Sequence, residues 1–274
     1  MLQMIKHINV GEHRLAYQWI NDNSHDPGKP VIVFLHEGLG CMKLWKDFPA
    51  RLCKMTGCRG LMYDRYGYGQ SDKIEGPREN DFLYHEAASV LPGLLEKLGI
   101  NGQVFLFGHS DGGTISLIFS ALYPAKTAAL VAEASHIFLE PVTLRGIKQA
   151  IHNFKNSGLR EKLQKYHGDN TDSMFYSWAN VWTSEETAGW SIELILPEIQ
   201  APVLAIQGEK DNYGTALQTE AITSGVRGPG QHLHIPDCGH TPHHEQRDIV
   251  LKHTADFFAA HLEPVDAEND ARKL

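Results

Sequence analysis

The chain has 274 residues, 42% of them hydrophobic and 21% charged, and its net charge is −8 at pH 7. This apolar content is sufficient for one large core, because single α/β domains often reach this length. The negative balance, without a run of basic residues, argues against nucleic acid as a partner. The apolar runs are far shorter than the roughly 20 residues that cross a bilayer, and the first residues lack a signal-peptide pattern, so we expect a cytoplasmic protein without membrane contact.

Strand patterns begin near the N-terminus and recur along the chain. Residues 6–10 and 15–20 alternate polar and apolar side chains around "GEH", which predicts an antiparallel hairpin. Six short apolar runs that are typical of buried strands follow: "PVIVFLH", "RGLMYD", "QVFLFGH", "AALVAEAS", "PVLAIQG" and "HLHIP". Helix-like stretches separate several of these runs. The alternation predicts an α/β fold with a mostly parallel central sheet and helices on both of its faces.

The strand patterns stop between residues 137 and 197. Apolar residues recur there at helical spacing, as between Leu144 and Phe154. We interpret this segment as a small helical cap. The core is then formed by residues 1–136 and 198–262. Residues 263–274 are polar and lack periodicity, which is typical of a frayed tail.

The pentapeptide "GHSDG" joins an apolar strand to an apolar helix pattern and fits G-x-S-x-G. A sharp strand-to-helix turn brings main chains close together, so Gly108 and Gly112 are expected to be steric requirements. Ser110 would then project above the sheet as a nucleophile. The alternative is that Ser110 only caps the following helix, a position that serine favours.

A serine hydroxyl needs a base to take its proton and an acid to orient that base. In hydrolases with this turn the chain order is serine, acid, histidine. Downstream, one predicted strand ends in a loop with Asp211 and the next in a loop with His240. We therefore predict a catalytic triad of Ser110, Asp211 and His240. Glu133, and then Glu209, remain alternatives for the acid.

Acyl transfer also requires two backbone donors that face the developing oxyanion. The amide of Asp111, directly after the nucleophile at the start of the helix, is the first candidate. The second should come from "EGLG", the loop after "VIVFLH", and there we choose Gly38, with Leu39 as the alternative.

Substrate contacts are expected from residues beside these loops and from the cap. His36 and His109 flank glycines near the expected site, where they would hydrogen-bond the loops, and Glu37 precedes the oxyanion candidate. Trp178 and Trp182 lie four residues apart and therefore share one helical face. That face either packs inside the cap or roofs a pocket for a compact, largely apolar group.

Metal and cofactor binding are not predicted. The cysteines form no CxxC pair, so we expect four free thiols: Cys41, Cys53, Cys58 and Cys238. Several histidines crowd the C-terminal part without a matching set of further ligands: His232, His234, His243, His244 and His253. The sequence therefore predicts neither a metal site nor a bound cofactor.

With these motifs the chain resembles the α/β-hydrolase superfamily from Lys6 to about His261. "VFLHEGLG" looks like the oxyanion loop, "MYDRYGYGQSD" like the turn after the fourth strand, "GHSDGG" like the nucleophile elbow, "GEKD" like the acid loop and "DCGH" like the histidine loop. The resemblance implies a structural role for Asp64 and Arg65. The chain departs from many relatives by placing Glu37 where they have glycine. Its elbow is similar to that of valacyclovir-hydrolase-like esterases, and Ser110 disfavours relatives that attack through aspartate.

The sequence thus predicts a serine hydrolase that cleaves a small carboxylic ester, lactone or thioester through an acyl-enzyme intermediate. The partner is a small molecule, and a monomer and a homodimer both remain open. The alternatives are a hydrolase-fold ligand receptor with little turnover, a carbon–carbon bond hydrolase and a cofactor-free dioxygenase, because one fold supports many functions.

Overall fold

An eight-stranded sheet runs through the part of the chain that the computed structural model describes, residues 4–20 and 28–262. Its strands are β1 (Lys6–Val10), β2 (His13–Ile20), β3 (Val31–Leu35), β4 (Gly60–Tyr63), β5 (Val104–His109), β6 (Thr127–Glu133), β7 (Val203–Gly208) and β8 (Gly230–Ile235). The spatial order is β1-β2-β4-β3-β5-β6-β7-β8. The pairings β1–β2 and β2–β4 are antiparallel and the others parallel. The predicted α/β class with a mostly parallel sheet is confirmed.

Helices connect and cover the strands. The α-helices are α1 (Phe48–Thr56), α2 (Phe82–His85), α3 (Leu91–Lys97), α4 (Asp111–Leu122), α5 (Pro141–Asn156), α6 (Leu159–His167), α7 (Thr171–Thr183), α8 (Ala216–Gly225), α9 (Pro242–Glu245) and α10 (Arg247–Ala259). A π-helical turn over Glu86–Val90 joins α2 to α3. Short 3-10 helices cover Met42–Trp45, Pro124–Lys126, Gly168–Asn170, Glu185–Thr187 and Glu193–Glu198.

The hairpin at the antiparallel edge follows from its turn sequence. Val10 pairs with His13, so the turn consists of only Gly11 and Glu12. Gly11 has a φ of +58°, a backbone conformation that glycine adopts without a steric penalty.

The two faces of the sheet carry separate apolar cores, and alternate residues of β5 point into each. Phe105 and Phe107 belong to the cluster under α1 and α10, where Phe105 stacks on Phe258 with ring centroids 4.4 Å apart. Leu106 belongs to the cluster under α3, α4, α8 and the helices between β6 and β7. Because both faces are covered, all six residues of β5 are buried, and its first four residues are all apolar.

The turn from β5 into α4 brings three backbone segments into contact. Ser110 has a φ of +52°, and its N–H donates to the carbonyl of Glu133 at 2.8 Å. A Cβ built on Gly108 would overlap the carbonyl of Gly112, and one built on Gly112 would overlap the carbonyl of Leu35. Glycine is therefore a steric requirement on both sides of Ser110, for the reason that the sequence suggests.

Between β6 and β7 lie α5, α6, α7 and three short 3-10 helices. The ends of this segment meet, because Phe138 forms an antiparallel bridge with Ser191 and the Ile192 N–H donates to the Ile137 carbonyl at 2.8 Å. The cap boundaries at 137 and 197 stay a prediction. The predicted tail, residues 263–274, lies outside the described residues.

A membrane-spanning helix would need length and apolarity together, and none of the helices within residues 4–20 and 28–262 has both.

The four cysteines are buried free thiols. Burial raises the pKa of Cys41 to about 12 and that of Cys238 to about 12 as well. The reactive thiolate is thus scarce at neutral pH at both positions.

Replacing Gly112 with alanine should lower the free energy of unfolding by about 1–3 kcal/mol, the usual cost of overpacking a filled interior. The added methyl would lie 1.9 Å from the Leu35 carbonyl oxygen. Equilibrium denaturation measures the loss. Gly102→Ala is the matched control, because no atom lies within 4 Å of its built Cβ. Equal losses in the two variants would contradict the steric argument.

Candidate active site

Ser110, His240 and Asp211 form a continuous hydrogen-bonded chain. The Ser110 Oγ lies 3.1 Å from His240 Nε2, and His240 Nδ1 lies 2.9 and 2.8 Å from the two carboxylate oxygens of Asp211. Ser110 stands at the turn after β5, Asp211 in the loop after β7 and His240 in the loop after β8. The carboxyl ends of these parallel strands lie at one edge of the sheet, which is why residues distant in the chain meet there.

Asp211 is held as an anion by the groups around it. It accepts hydrogen bonds from the Tyr213 N–H at 2.7 Å and from Gln207 Nε2 at 2.6 Å. Burial alone would raise the pKa of Asp211, but His240 and the Tyr213 N–H outweigh it and hold the pKa below its usual range. An ionised Asp211 fixes the His240 tautomer with its proton on Nδ1, which leaves Nε2 free to accept from Ser110.

Tyr213 also shapes the surroundings of the histidine. Its ring lies against the His240 ring with centroids 4.5 Å apart. Burial raises the pKa of Tyr213 to about 12, so the phenol is neutral around pH 7. The Thr143 hydroxyl of α5 donates to the Tyr213 carbonyl at 2.6 Å. Tyr213 therefore connects the acid loop to the first helix after β6.

Glu133, the alternative acid, faces a different histidine. Its Oε2 lies 2.5 Å from His243 Nδ1, and none of its hydrogen bonds within the described residues reaches His240. Glu209, the third choice, is exposed. Among these three carboxylates, only Asp211 is hydrogen-bonded to His240.

The oxyanion candidates line the space in front of Ser110. Within the part of the chain that is described, the Gly38 and Leu39 N–H groups donate to no protein acceptor. Asp111 is the first residue of α4, where an N–H has no intrahelical acceptor. A Cβ on Gly38 would overlap the Trp178 indole, so glycine is required at this position too. Which of Gly38 and Leu39 is the second donor stays a prediction.

A cavity of about 180 Å³ opens over the serine. Four of the five predicted substrate contacts line it: Glu37, His109, Trp178 and Trp182. The remaining lining residues are Gly38, Leu39, Ser110, Asp111, His136, Thr143, Ile147, Tyr213, His240 and Thr241. Both tryptophans are buried, so they belong to the core of the helical segment and to the cavity wall at once.

His36 does not line the cavity, contrary to the predicted substrate contact. Its Nε2 accepts from the Arg65 N–H at 3.1 Å and its Nδ1 donates to the Glu37 carbonyl at 2.8 Å. Burial and the neighbouring Arg65 lower the pKa of His36 well below its usual value, so the ring is neutral. His36 thus links the loop after β3 to the loop after β4 by hydrogen bonds.

Asp111 has a buried carboxyl group next to Ser110. Arg65 Nη2 lies 3.6 Å from Asp111 Oδ2, and both side chains are 1% exposed. On the other side, His136 Nε2 lies 3.8 Å from Asp111 Oδ1. Burial lowers the pKa of His136, which favours its neutral form. Arg65 therefore offsets a carboxylate that would otherwise oppose negative charge in the site.

Sequence reasoning missed several residues of the site. Tyr213 follows the acid by two positions and Gln207 stands on the strand before it, which are the only local signals for them. His136 lies three residues after the end of β6, the strand that holds Glu133. Their contacts depend on tertiary packing and leave no periodicity in the sequence.

A metal ion needs several ligand atoms that converge on one point. Within the described residues, one group could offer three ligand atoms lying within 4.8 Å of one another: His109, Glu133 and His243. The atoms of Glu133 and His243 are already hydrogen-bonded to each other at 2.5 Å, whereas zinc ligands each need roughly 2.0–2.2 Å to a common ion between them. The Glu133–His243 part of this group is a direct hydrogen bond, and the absence of a metal site stays a prediction.

Known proteins share this architecture. The family model described as the alpha/beta hydrolase fold matches residues 30–156. The chain is 26% identical over 257 residues to "Serine hydrolase BPHL" of Mus musculus, covering 91% of this chain and 84% of the relative. It is 24% identical over 267 residues to the 2-hydroxy-6-oxononadienedioate/2-hydroxy-6-oxononatrienedioate hydrolase of Escherichia coli K12, covering 88% and 91% of the two chains.

A solved structure extends the likeness over nearly the whole fold. The enol-lactonase from Burkholderia xenovorans LB400 superposes with a TM-score of 0.73 at 18% identity, covering 93% of this chain and all of that one. At this identity the superposition shows a common fold and nothing about the substrate. Together with the strand order and the family match over residues 30–156, it shows that the chain has the α/β-hydrolase fold.

Proposed function

We propose that the chain is a serine hydrolase that cleaves a small carboxylic ester, lactone or thioester through an acyl-enzyme intermediate. The observation that carries the proposal is the hydrogen-bonded chain from Ser110 through His240 to Asp211 at the floor of a cavity. Each of the three side chains has the partner that its step requires.

In the acylation step the Ser110 oxygen attacks the substrate carbonyl while His240 Nε2 takes the hydroxyl proton. Asp211 stabilises the imidazolium that forms. The amides of Asp111 and of Gly38 or Leu39 donate to the oxyanion of the tetrahedral intermediate. The intermediate collapses when His240 returns the proton to the leaving alcohol or thiol, and the acyl group stays on Ser110.

In the deacylation step water takes the place of the leaving group. His240 removes a proton from that water as it attacks the acyl carbon, and the same amides hold the second oxyanion. Return of the proton to the Ser110 oxygen releases the carboxylic acid. For a lactone the leaving hydroxyl stays attached to the acyl group, so a single hydroxy acid is released after deacylation.

The cavity favours a compact, largely apolar acyl or aromatic group. Its volume of about 180 Å³ is small for a ligand site, since drug-sized molecules occupy roughly 300–1,000 Å³. Trp178, Trp182 and Ile147 supply apolar walls, and the Tyr213 ring lies beside His240.

The relatives support this reaction class and also favour one alternative. The mouse relative is named a serine hydrolase, and the superposed structure an enol-lactonase. The Escherichia coli relative has a hydroxy-oxo-dienedioate substrate in its name, so hydrolysis of a carbon–carbon bond is the second candidate. A substrate panel should therefore contain esters, lactones, thioesters and a hydroxy-oxo-dienoate.

Ser110→Ala should reduce turnover by at least about 10⁴-fold while the thermal unfolding midpoint stays near that of the native protein, because only the nucleophilic oxygen is lost. A fluorophosphonate probe should label the native protein and not the variant. Ser120→Ala is the control, since that hydroxyl bonds within α4 to the Ser116 carbonyl. Native-like turnover by pure, folded Ser110→Ala protein would refute the proposal.

Two other outcomes would favour the alternative functions. Ligand-dependent partner binding without turnover would favour a receptor, and oxygen uptake would favour a dioxygenase.

Asp211→Asn should reduce kcat by about 10²–10⁴-fold with the fold retained, because the imidazole loses the anion that fixes its tautomer. Glu133→Gln, on the carboxylate that faces His243, should cost less than Asp211→Asn. Steady-state kinetics on folded variants measures both. If Glu133→Gln lowered kcat strongly and Asp211→Asn lowered it only slightly, the acid would be Glu133 at the end of β6.

Trp178→Ala and Trp182→Ala should each change the ranking of substrates by acyl size by about 10-fold or more, because they enlarge the cavity. Each should also cost about 3–5 kcal/mol of stability, since both indoles are buried. Trp190→Ala is the control, because that ring packs on Trp182 outside the lining residues. Unchanged ranking in both cavity variants would leave the tryptophans with a packing role alone.

A further inference from the structure

His109 is a buried histidine next to the nucleophile that the proposed mechanism does not use. It ends β5, directly before Ser110, and its side chain is 1% exposed. Its ring lies between the loop that follows β3 and the loop that carries His240.

Each ring nitrogen of His109 faces an oxygen that accepts hydrogen bonds. Nε2 lies 2.7 Å from the His240 carbonyl oxygen, and Nδ1 lies 3.4 Å from a carboxylate oxygen of Glu37. A neutral imidazole carries one proton and would turn a lone pair towards one of these oxygens. With Glu37 ionised, this arrangement favours a proton on both nitrogens, and therefore an imidazolium.

The other titratable groups around the ring fit this charge. Glu133 on β6 is hydrogen-bonded to His243, whose ring centroid lies 4.9 Å from that of His109. The His240 ring lies at 5.1 Å. Burial by itself would lower the pKa of His109, but Glu37 and Glu133 raise it to about 9.

Glu37 is in turn held in place by its own loop. A Cβ on Gly40 would overlap the Glu37 carboxylate, so the glycine leaves room for the folded-back side chain. The Gly40 N–H donates to the Glu37 carbonyl at 3.1 Å. Burial opposes the charge of Glu37, yet His109 keeps the pKa of Glu37 well below its usual range. The carboxylate lies one residue before the oxyanion candidate Gly38.

We propose that His109 is a positioning residue that, as an imidazolium, binds Glu37 of the oxyanion loop and the backbone of His240 and so fixes these two loops relative to each other. The proposal rests on the proposed function, because it assigns both loops to one reaction. It also gives a reason for glutamate where many relatives have glycine.

The charge state is tested directly on the native protein by nitrogen-15 NMR of its histidines, with His109→Gln assigning the signals. Both His109 nitrogens should be protonated at pH 7 and lose a proton with a midpoint near the value of about 9. Because the folded pKa lies above the usual 6.5, the stabilisation from the pair is complete below about pH 6.5 and disappears as the pH rises through about 9. Glu37→Gln should lower the midpoint. A neutral His109 ring at pH 7 would overturn the proposal.

The positioning role is tested by kinetics at pH 7. His109→Gln and Glu37→Gln should each lower kcat by about 10-fold or more and change KM by less than about threefold, since geometry and not substrate binding is disturbed. In the double variant two amides can replace the ion pair, so its loss should not exceed the larger single loss. His253→Gln is the control, because this histidine is an exposed residue of α10.

The two proposals fail in different ways. If fluorophosphonate labels Ser110 and Ser110→Ala is inactive, but His109→Gln keeps a native kcat, the positioning role is overturned and the serine mechanism stands. If Ser110→Ala keeps native turnover, the proposed function fails, and the coupling of two catalytic loops fails with it. Should His109→Gln not fold, Glu37→Gln decides, through its kcat and through the one histidine signal whose midpoint it lowers.

Discussion

The rest of the site depends on one backbone constraint, the left-handed turn at Ser110. A residue with a side chain at a φ of +52° is strained, and such strain persists only where surrounding contacts fix it. Here the Glu133 carbonyl binds the Ser110 N–H, while the Ser110 carbonyl accepts from Gly113 and Thr114 at 2.9 and 3.0 Å. The turn presents the hydroxyl to His240 and the first helical amides to the same space. The candidate nucleophile and one candidate oxyanion donor are thus placed by a single local geometry.

Around that turn each of four buried or partly buried carboxylates has a partner. A carboxylate removed from water without a partner costs several kcal/mol, so each must meet a cation or a hydrogen-bond donor. The pairs are Arg65–Asp111, His109–Glu37, His240–Asp211 and His243–Glu133. Removing the partner from one of these pairs leaves the carboxylate without its cation or hydrogen-bond donor. The electrostatics of the site is therefore a property of the cluster and not of the triad alone.

Local patterns in the sequence predict the strands, the turn glycines and the chain order of the three triad candidates, because each depends on a short periodicity or on backbone sterics. The contacts of His36 could not be read in this way. Its place near the oxyanion loop suggested a substrate contact. The Arg65 N–H, just after β4, donates to the ring instead, and His36 does not line the cavity. Likewise, helical spacing puts Trp178 and Trp182 on one face, but only packing shows that this face is both core and cavity wall.

The helical segment and the acid loop behave as one structural unit. Glu140, just before α5, accepts from the Thr215 N–H at 3.0 Å and from its hydroxyl at 2.7 Å. Thr143 binds the Tyr213 carbonyl, and the Tyr213 N–H binds Asp211. A displacement of α5 would therefore be transmitted to the carboxylate that orients the histidine. Because the same helix also lines the cavity through Thr143 and Ile147, the cavity wall and the loop that holds Asp211 are connected through hydrogen bonds.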